Sequence, residues 1–407
     1  MLGRFVRAAF VRGRNGKLFL PYATLFVLAV VTRIAVLVVA GEQPTIHVSE
    51  QELICKSLAL HGTFADPYAI PTGPTAHHAP VYPFLLSLIF RCVGFDAAAG
   101  YAVAAMNMTF ACLQVALLPV LGKQVDLPAV GLVAGLWGAV IPWRGIQEVQ
   151  SETALTSLCL LLAVMATVRC WRSDSNRSSA LCGAAWGFLF LVSPSPLAAF
   201  LLLLIVMATR LSLRRALLSA FAAAVVVCPW CVRNYMELGG LTFVRDNFPI
   251  EFHVSNNDFA TAVRSEQYYR SGSYVLRMHP HFSVSEARIV ATGGELAYNR
   301  AKLAETLAWI HERPYRFAWL TAQRILYFWI LPSQSLPWKA ALFVPIELMA
   351  LAGMLLLMRD RNPAGIILAC VWLGYPVVYY LVQIESRYHY PLDCPTYLLA
   401  VACAFII

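Results

Sequence analysis

Residues 180–209 read ALCGAAWGFLFLVSPSPLAAFLLLLIVMAT, an apolar run without a charged residue. Basic residues flank the run on both sides: Arg169, Arg172, Arg177, Arg210, Arg214 and Arg215. Because Lys and Arg near span ends mark the cytoplasmic side of a membrane, both ends of the run are expected on that side. Pro194 and Pro196 at its middle would break a helix. The run therefore predicts two short membrane spans that form a hairpin.

The rest of the chain has the same apolar character. Of its 407 residues, 59% are hydrophobic and 13% are charged, whereas soluble domains carry about a quarter charged residues. Further apolar runs occupy residues 18–41, 101–121, 127–143, 154–168, 216–231, 340–358 and 363–382. A transmembrane helix needs about 20 predominantly apolar residues. The composition therefore predicts an all-α polytopic membrane protein.

Eight further basic residues set the predicted orientation together with those that flank residues 180–209. They lie before the first run or in short connections: Arg4, Arg7, Arg12, Arg14, Lys17, Lys123, Arg359 and Arg361. Placing them all inside gives about ten transmembrane helices and a cytoplasmic amino terminus. Residues 81–94 and 315–331 are then expected to lie in the membrane interface as amphipathic helices. The net charge of +9 is accounted for by flanks that face anionic lipid, so nucleic-acid binding is not predicted.

This topology predicts three parts of the chain. Residues 1–231 form an amino-terminal transmembrane core that includes a first external loop at 42–100. Residues 232–338 form an external segment, and residues 339–407 form the carboxyl-terminal transmembrane helices. Within the external segment, 285–310 is predicted as one helix capped by Ser283 or Ser285. The stretch 241–280 is predicted to be irregular.

The cysteines predict no redox activity. Most of the eleven cysteines lie inside apolar runs, where a cysteine behaves as a small hydrophobe. Cys228 and Cys231 form a CxxC pair at the end of a membrane span, whereas a redox motif requires a soluble strand–helix context.

Polar groups that suit chemistry are concentrated in the first external loop. Residues 49–62 are expected to form a surface helix with Glu50 on its first turn, where a carboxylate suits a general base or a substrate orienter. The simpler interpretation is that Glu50 and Glu52 favour the helix amino terminus. Residues 72–83 form a proline-rich segment that presents His77 and His78. Since adjacent residues of an extended segment point to opposite sides, no metal site is predicted there, and dependence on a divalent metal is left open.

Several of these motifs together resemble a known family. They are ICKSLALHGTF at 54–64, GPTAHHAPVYP at 73–83, PWCVRN at 229–234, VRDNFPIEF at 244–252, SNN at 255–257, His279-Pro280, GELAY at 294–298 and RYHYP at 387–391. The combination resembles bacterial membrane glycosyltransferases of the GT-C superfamily, which are related to protein O-mannosyltransferases and lipid A aminoarabinose transferases. The similarity runs over most of the chain and is diffuse outside the motifs.

The resemblance implies transfer of a sugar from a polyprenyl-phosphate carrier to an acceptor outside the cytoplasmic membrane of a bacterium. A carboxylate in the first external loop would act on the acceptor, and Glu50 matches it. Many family members carry an Asp slightly earlier, where this chain has His47 and Val48, so Glu52 is the alternative. Glu152, or else Glu148, matches a second family carboxylate.

The carrier phosphate requires cations, and an Arg fork can hold two phosphate oxygens. Arg233 and Arg387 are expected at headgroup depth. Further candidates for substrate binding are Asn234, Arg245, Arg324, His389, His77 and His78. Snorkelling is the simpler interpretation for any single Arg. Arg33 lies within the first span, where an ionisable group is functional by default, or it pairs with Glu347.

Two other functions are compatible with the sequence. A transporter or flippase of lipid-linked sugars would share the intramembrane charges, but no internal repeat of the kind found in many transporters is visible. A non-catalytic membrane protein of the same fold would explain the missing Asp. Apart from membrane lipids and the lipid-linked sugar, no partner is predicted, and the acceptor is not identified.

Overall fold

We analysed a computed structural model, which describes residues 20–41, 49–141, 151–264, 273–330 and 337–406. The basic residues of the amino terminus, His47, Val48 and Glu148 lie outside the described residues. The α-helices in chain order are α1 (Leu20–Ala40), α2 (Glu50–His61), α3 (Val81–Val93), α4 (Ala97–Gln124), α5 (Pro128–Val140), α6 (Thr153–Arg172), α7 (Asn176–Val192), α8 (Leu197–Arg210), α9 (Leu213–Leu238), α10 (Phe248–Ser255), α11 (Ser273–Met278), α12 (Val284–Gly293), α13 (Glu295–Glu312), α14 (Pro314–Trp329), α15 (Pro337–Arg359), α16 (Pro363–Gly374) and α17 (Tyr390–Ile406). Short 3-10 helices span Tyr375–Tyr380 and Ser386–His389.

Among the described residues, five helices are long and apolar enough to cross a membrane: Tyr22–Ala40, Ala97–Gln124, Thr153–Arg172, Leu213–Leu238 and Pro363–Tyr380. Helices α3, α5 and α8 are apolar but shorter. These helices make the chain a membrane protein of the predicted all-α class. The count of about ten spans and the orientation stay predictions.

The interruption predicted within residues 180–209 is confirmed. Helix α7 ends at Val192 and α8 begins at Leu197. The hydroxyls of Ser193 and Ser195 lie 2.9 Å apart in the connection, and Leu197 N donates to Pro194 O at 3.0 Å. The two prolines remove backbone donors at this point, so the chain cannot continue one helix through it.

Small residues bring the apolar helices together. A Cβ atom on Gly187 of α7 would lie 2.7 Å from the carbonyl oxygen of Ala223 in α9. Gly353 of α15 similarly touches the backbone of Leu399 in α17. Close approach of backbones at glycine is the usual way in which membrane helices gain packing contacts.

Residues 232–338, which are predicted to be external and are called the external segment below, differ from the sequence prediction in two places. Instead of one helix at 285–310, α12 and α13 are separated at Gly294, whose φ of +85° favours glycine. Ser283 caps α12 as predicted, because its hydroxyl accepts from the amide of Glu286. The prediction of an irregular stretch at 241–280 was wrong in part, because this stretch contains α10 and α11.

Two contacts hold the external segment against the chain that precedes α17. Arg324 of α14 is fully buried and donates to Asn256 Oδ1 at 3.0 Å and to Leu381 O at 2.9 Å. Val263 and Ile384 form a parallel β-bridge, in which Ile384 N donates to Ala262 O at 2.9 Å. These contacts place α10 beside the polar residues at 383–388.

Candidate active site

A cavity of about 890 Å³ lies between the first external loop, the α7–α8 connection, the external segment and residues 375–391. Its volume is within the range of natural ligand sites. Pro194, Leu197 and Leu201 line the apolar side. The charged side chains that line it are Glu50, Glu52, Glu152, Glu251, Glu385, Arg245, Arg264 and Arg387. One cavity therefore joins an apolar wall to a strongly charged one.

The first turn of α2 presents two of the carboxylates. Ser49 is the N-cap, and the carboxylate of Glu52 accepts from the backbone amide and the hydroxyl of Ser49 in a capping box. The simpler interpretation from sequence therefore describes Glu52, which stabilises the helix end. Burial raises the pKa of Glu52 to about 7. Glu50, by contrast, lies with Oε1 3.6 Å from His279 Nδ1.

Glu152 precedes α6 and lies at the cavity. Within the described part of the chain, its carboxylate has no side-chain hydrogen bond or ion pair. Burial alone would raise the pKa of Glu152, but the positive charge of Arg387, supported by Arg245, outweighs burial and holds this pKa below its usual value. Glu152 is therefore an ionised carboxylate at neutral pH with room for a ligand beside it.

The three arginines that line the cavity, Arg245, Arg264 and Arg387, have different partners. Arg387 Nε lies 2.7 Å from Glu385 Oε2 in an ion pair, and Arg264 Nη1 lies 3.2 Å from Glu385 Oε1. Arg245 uses Nε to donate to Asn247 Oδ1 at 2.7 Å. Among the described residues, Arg245 forms no ion pair with a carboxylate, so its guanidinium charge is available to an anionic ligand.

Three histidines cluster at the side of the cavity formed by the first external loop. The ring centroids of His77 and His78 lie 5.1 Å apart, and His77 lies 6.1 Å from His279. Burial lowers the pKa of His78 to about 4 and holds the pKa values of His77 and His279 below their ordinary value. These imidazoles are therefore neutral near pH 7.

Helix α13 fixes the segment that carries these histidines. Glu295 accepts hydrogen bonds from Thr75 Oγ1 at 2.6 Å and from the amide of Ala76 at 2.7 Å. The amide of Asp246 donates to Ala76 O at 3.0 Å. Thr75 Oγ1 in turn accepts from the amide of His77 at 2.9 Å. This segment is thus held in place by hydrogen bonds to the external segment as well as by its prolines.

Four of the candidates for substrate binding lie outside the cavity lining: Arg233, Asn234, Arg324 and His389. Arg233 donates to Thr75 O at 2.6 Å and to Phe64 O at 2.9 Å, and its guanidinium stacks on Trp230. Asn234 donates to Phe243 O at 3.1 Å. Direct contact of either residue with a substrate stays a prediction, while these contacts show that both hold loops in place.

His389 is also buried away from the cavity lining. Its Nε2 lies 3.1 Å from Glu347 Oε1, and its Nδ1 lies 2.9 Å from Asp393 Oδ1. The pairing of Arg33 with Glu347 was therefore the wrong alternative, because Glu347 faces His389. Arg33 instead donates to the carbonyls of Ala29 and Gly138.

Sequence reasoning missed several residues of the site. His279 and Glu251 lie within the family-like motifs but had been given no role, and Arg264, His281 and Glu385 lie outside any recognised motif. The charged character of residues 383–388 beside the RYHYP motif was the available signal for Glu385. Nothing in the sequence indicates that Arg264 reaches it.

Comparisons with known proteins agree with this architecture. No family model and no curated protein matches the chain. Its fold is similar to that of the oligosaccharyltransferase AglB from the archaeon Archaeoglobus fulgidus, solved in complex with an inhibitory peptide and a dolichol-phosphate, with a TM-score of 0.55 at 13% identity. A second structure of the enzyme, tethered with an acceptor peptide containing the NVT sequon, gives a TM-score of 0.57 at 13% identity.

The matches cover 95% and 96% of this chain and 50% of the oligosaccharyltransferase chain in both cases. This chain thus spans about half the length of that enzyme. The likeness supports the predicted all-α membrane fold, which is similar to the fold of this oligosaccharyltransferase.

Proposed function

We propose that this protein is a glycosyltransferase that moves a sugar from a polyprenyl-phosphate carrier to an acceptor at the outer face of a bacterial cytoplasmic membrane. The observation that carries the proposal is the meeting of Glu50, Glu152, Arg245 and Arg387 in one cavity. These residues come from four separate stretches, each singled out from sequence for its own chemistry. The fold of a lipid-linked glycan transferase is a second support.

The carrier would bind with its phosphate at the arginines and its chain along the apolar wall. Arg245 has charge available, and Arg387 and Pro194 line the same cavity. A fork of guanidinium donors suits a phosphate oxygen pair. When the bond between the sugar and the phosphate oxygen breaks, the electron pair stays on the phosphate, and the nearby cations stabilise the added negative charge.

The acceptor would approach from the side of Glu50 and Glu152. In this proposal Glu152 takes the proton of the acceptor hydroxyl or amide as the new bond forms to the sugar carbon, and Glu50 orients the acceptor. Glu152 suits a base because it is ionised and has no partner side chain in the described part of the chain. Arg233 would act by positioning the loop that carries Thr75, and Asn234 by holding the chain at Phe243.

The test is turnover of a polyprenyl-phosphate-linked sugar by purified protein in lipid. Wild type is compared with Glu50→Gln and Glu152→Gln, and Glu312→Gln on the exposed end of α13 is the matched control. We expect release of the carrier phosphate by wild type and by the control, and loss in both cavity variants without loss of folded protein. Absence of turnover in wild type, together with movement of the carrier between leaflets, would favour the flippase function instead.

A further inference from the structure

Arg324 of α14 is a buried cation whose hydrogen bonds all go to neutral oxygens. Its side chain is fully buried, and its guanidinium donates to Asn256 Oδ1 at 3.0 Å, to Leu381 O at 2.9 Å and to Ser255 O. Among the residues that the structure describes, no carboxylate forms an ion pair with it. Burial and the charge of Arg316 lower the pKa of Arg324 to about 9, so the guanidinium stays charged near pH 7.

A buried charge is an unfavourable means of joining two segments if stability is its only role. Apolar side chains of similar volume often replace buried charged groups without loss of stability. Nε of Arg324 is also buried without a hydrogen-bond partner, and such a group requires an explanation. Its acceptors supply one, because Ser255 and Leu381 both line the cavity.

The acceptors of Arg324 lie where two helices end. Ser255 ends α10, and Leu381 directly follows the first 3-10 helix. A cation is favourable at the carboxyl end of a helix, where backbone carbonyls lack partners. The amide of Gln383 also donates to Ser255 Oγ at 2.9 Å. Arg324 therefore holds residues 381–388 against the carboxyl end of α10.

Helix α10 has anchors that do not involve Arg324. Ile250 and Val254 of α10 pack with Tyr298 of α13 in one apolar cluster. Residues 381–388, by contrast, meet the external segment through the hydrogen bonds around Arg324 and the β-bridge that follows them. Loss of the guanidinium fork is therefore expected to displace 381–388 more than α10.

Residues 381–388 carry Glu385 and Arg387. Glu385 Oε2 lies 2.7 Å from Arg387 Nε, and Glu385 Oε1 lies 3.2 Å from Arg264 Nη1. The same nitrogen of Arg264 lies 3.7 Å from Glu251 Oε2 on α10. A displacement of 381–388 against α10 would therefore alter these ion pairs and turn Arg387 within the cavity.

We propose that Arg324 is a positioning residue, which directs Arg387 toward the phosphate of the carrier by holding residues 381–388 against α10. The identity of the anion rests on the proposed function, whereas the contacts of Arg324 do not depend on sugar transfer. Arg324 thus acts on the carrier through Arg387 and not by direct contact.

The first experiment measures binding without transfer. Polyprenyl phosphate without a sugar is titrated into purified protein in lipid nanodiscs and followed by calorimetry. Arg387→Ala should weaken binding by about 10- to 100-fold, as expected for the loss of a hydrogen bond to a charged group. Arg324→Lys keeps the charge but loses the planar fork, and it should weaken binding by about threefold or more.

Arg316→Lys is the matched control. Arg316 lies on the same helix and also donates to a backbone carbonyl, that of Ala260 at 2.9 Å, but Ala260 lies outside the cavity lining. This variant should bind polyprenyl phosphate as wild type does. An equal loss of affinity in Arg316→Lys and Arg324→Lys would contradict a specific role for Arg324.

Combined variants separate positioning from general loosening. If Arg324 acts through Arg387, Arg324→Lys should have little further effect in a protein that already carries Arg387→Ala, because residues that act through one another are not additive. Combined with Arg245→Ala, Arg324→Lys should keep its full factor, since Arg245 precedes α10 and contacts Asn247. Additive effects of Arg324→Lys and Arg387→Ala, or equal binding by wild type and Arg324→Lys, would overturn the proposal.

Hydrogen exchange of backbone amides supplies the structural measurement. Peptides that cover 381–388 should exchange faster in Arg324→Lys, while peptides of α10 should keep the wild-type rate and show that the variant is folded. Unchanged exchange at 381–388, or faster exchange in both places, would refute the positioning role, as would a wild type that does not bind polyprenyl phosphate. A wild type that binds polyprenyl phosphate but transfers no sugar would keep the role of Arg324 and refute the proposed transfer reaction, so the two proposals fail separately.

Discussion

Thr75 Oγ1 donates a 2.6 Å hydrogen bond to Glu295 Oε2, which joins the first external loop to α13. Both residues are buried. Thr75→Val would leave the Glu295 oxygen without this donor inside the protein, and an unsatisfied buried group costs about 1–3 kcal/mol. We expect a lower melting temperature in lipid or detergent. Thr292→Val is the control, since Thr292 is exposed on α12, and an equal effect of the two changes would contradict this role for Thr75.

Asp246 and Glu295 predict a specific pH dependence of stability. Burial raises the pKa of Asp246 to about 6, and burial together with the charge of Asp246 raises the pKa of Glu295 well above its usual value. Both groups bind protons in the folded state that the unfolded chain releases near pH 4. Their contribution to stability is therefore complete below about pH 4 and is lost as pH rises through about 6.

Thermal unfolding between pH 4 and 7 measures this effect. The melting temperature of wild type, relative to that of the double variant Asp246→Asn, Glu295→Gln, should fall as pH rises. Glu312→Gln, an exposed carboxylate at the end of α13, should keep a constant difference from wild type. If the difference in melting temperature between wild type and the double variant does not change with pH, the raised pKa values of Asp246 and Glu295 are refuted.

Glu52 and Glu152 line the same cavity but are expected to respond differently to substitution. Glu152→Gln removes the proposed base and should lower turnover by about 10²- to 10⁴-fold with little change in melting temperature. Glu52→Ala removes half of a capping box, which costs on the order of 1 kcal/mol, with a much smaller loss of turnover. Turnover and thermal unfolding of both variants decide the assignment, and the reverse pattern would make Glu52 the catalytic carboxylate.

Arg245 is expected to act mainly by binding the carrier phosphate. Loss of a hydrogen bond to a charged group costs about 1.5–3 kcal/mol, so Arg245→Ala should lower kcat/KM by about 10- to 100-fold. Arg245→Lys keeps the charge but loses the planar fork, and an intermediate value is expected. Arg288→Ala, an exposed residue of the same external segment, should leave kcat/KM unchanged. A carrier affinity that is equal in wild type and Arg245→Ala would exclude phosphate binding by this residue.

Gly353 should be intolerant of even one methyl group. A Cβ atom there would overlap the carbonyl of Leu399, whereas a Cβ atom on Gly293 meets nothing within 4 Å. Overpacking costs about 1–3 kcal/mol, so Gly353→Ala should lower the melting temperature. Gly293→Ala should leave it equal or slightly higher, because Ala favours helix. Similar melting temperatures for the two variants would show that α15 and α17 pack less closely than described.

Much of the fold could be predicted because its signals are local. Apolar runs marked the membrane helices, and Pro194 and Pro196 marked the break between α7 and α8. Ser283, one of the two predicted caps, marked the start of α12. The break at Gly294 was missed although Gly293 and Gly294 form a Gly-Gly pair, which is a turn signal that the prediction of one helix at 285–310 left out of account. Its left-handed conformation depends on how α12 and α13 pack, which a single sequence does not show.

The site could be predicted only as separate pieces. Glu50, Glu152, Arg245 and Arg387 stood out through motifs and predicted depth, and they do line one cavity. The partners of these groups come from distant parts of the chain. Arg264 reaches Glu385, and Arg233 reaches the carbonyl of Phe64. No periodicity or residue spacing in the sequence predicts such pairs. For this reason the sequence could not distinguish Arg233, which holds a loop, from Arg245, which lines the cavity.

The bridge between Val263 and Ile384 has a practical consequence for protein production. Judged by polarity alone, residues 232–338 would suit expression as a soluble fragment, yet one of their backbone pairing partners, Ile384, lies close to α17. Such a fragment would lose the hydrogen bonds of Ala262 and Arg264 to Ile384 and the carbonyl of Leu381 that Arg324 binds. Crystallisation or antibody selection therefore requires the membrane-embedded chain, because a binder raised against the fragment would recognise a different surface.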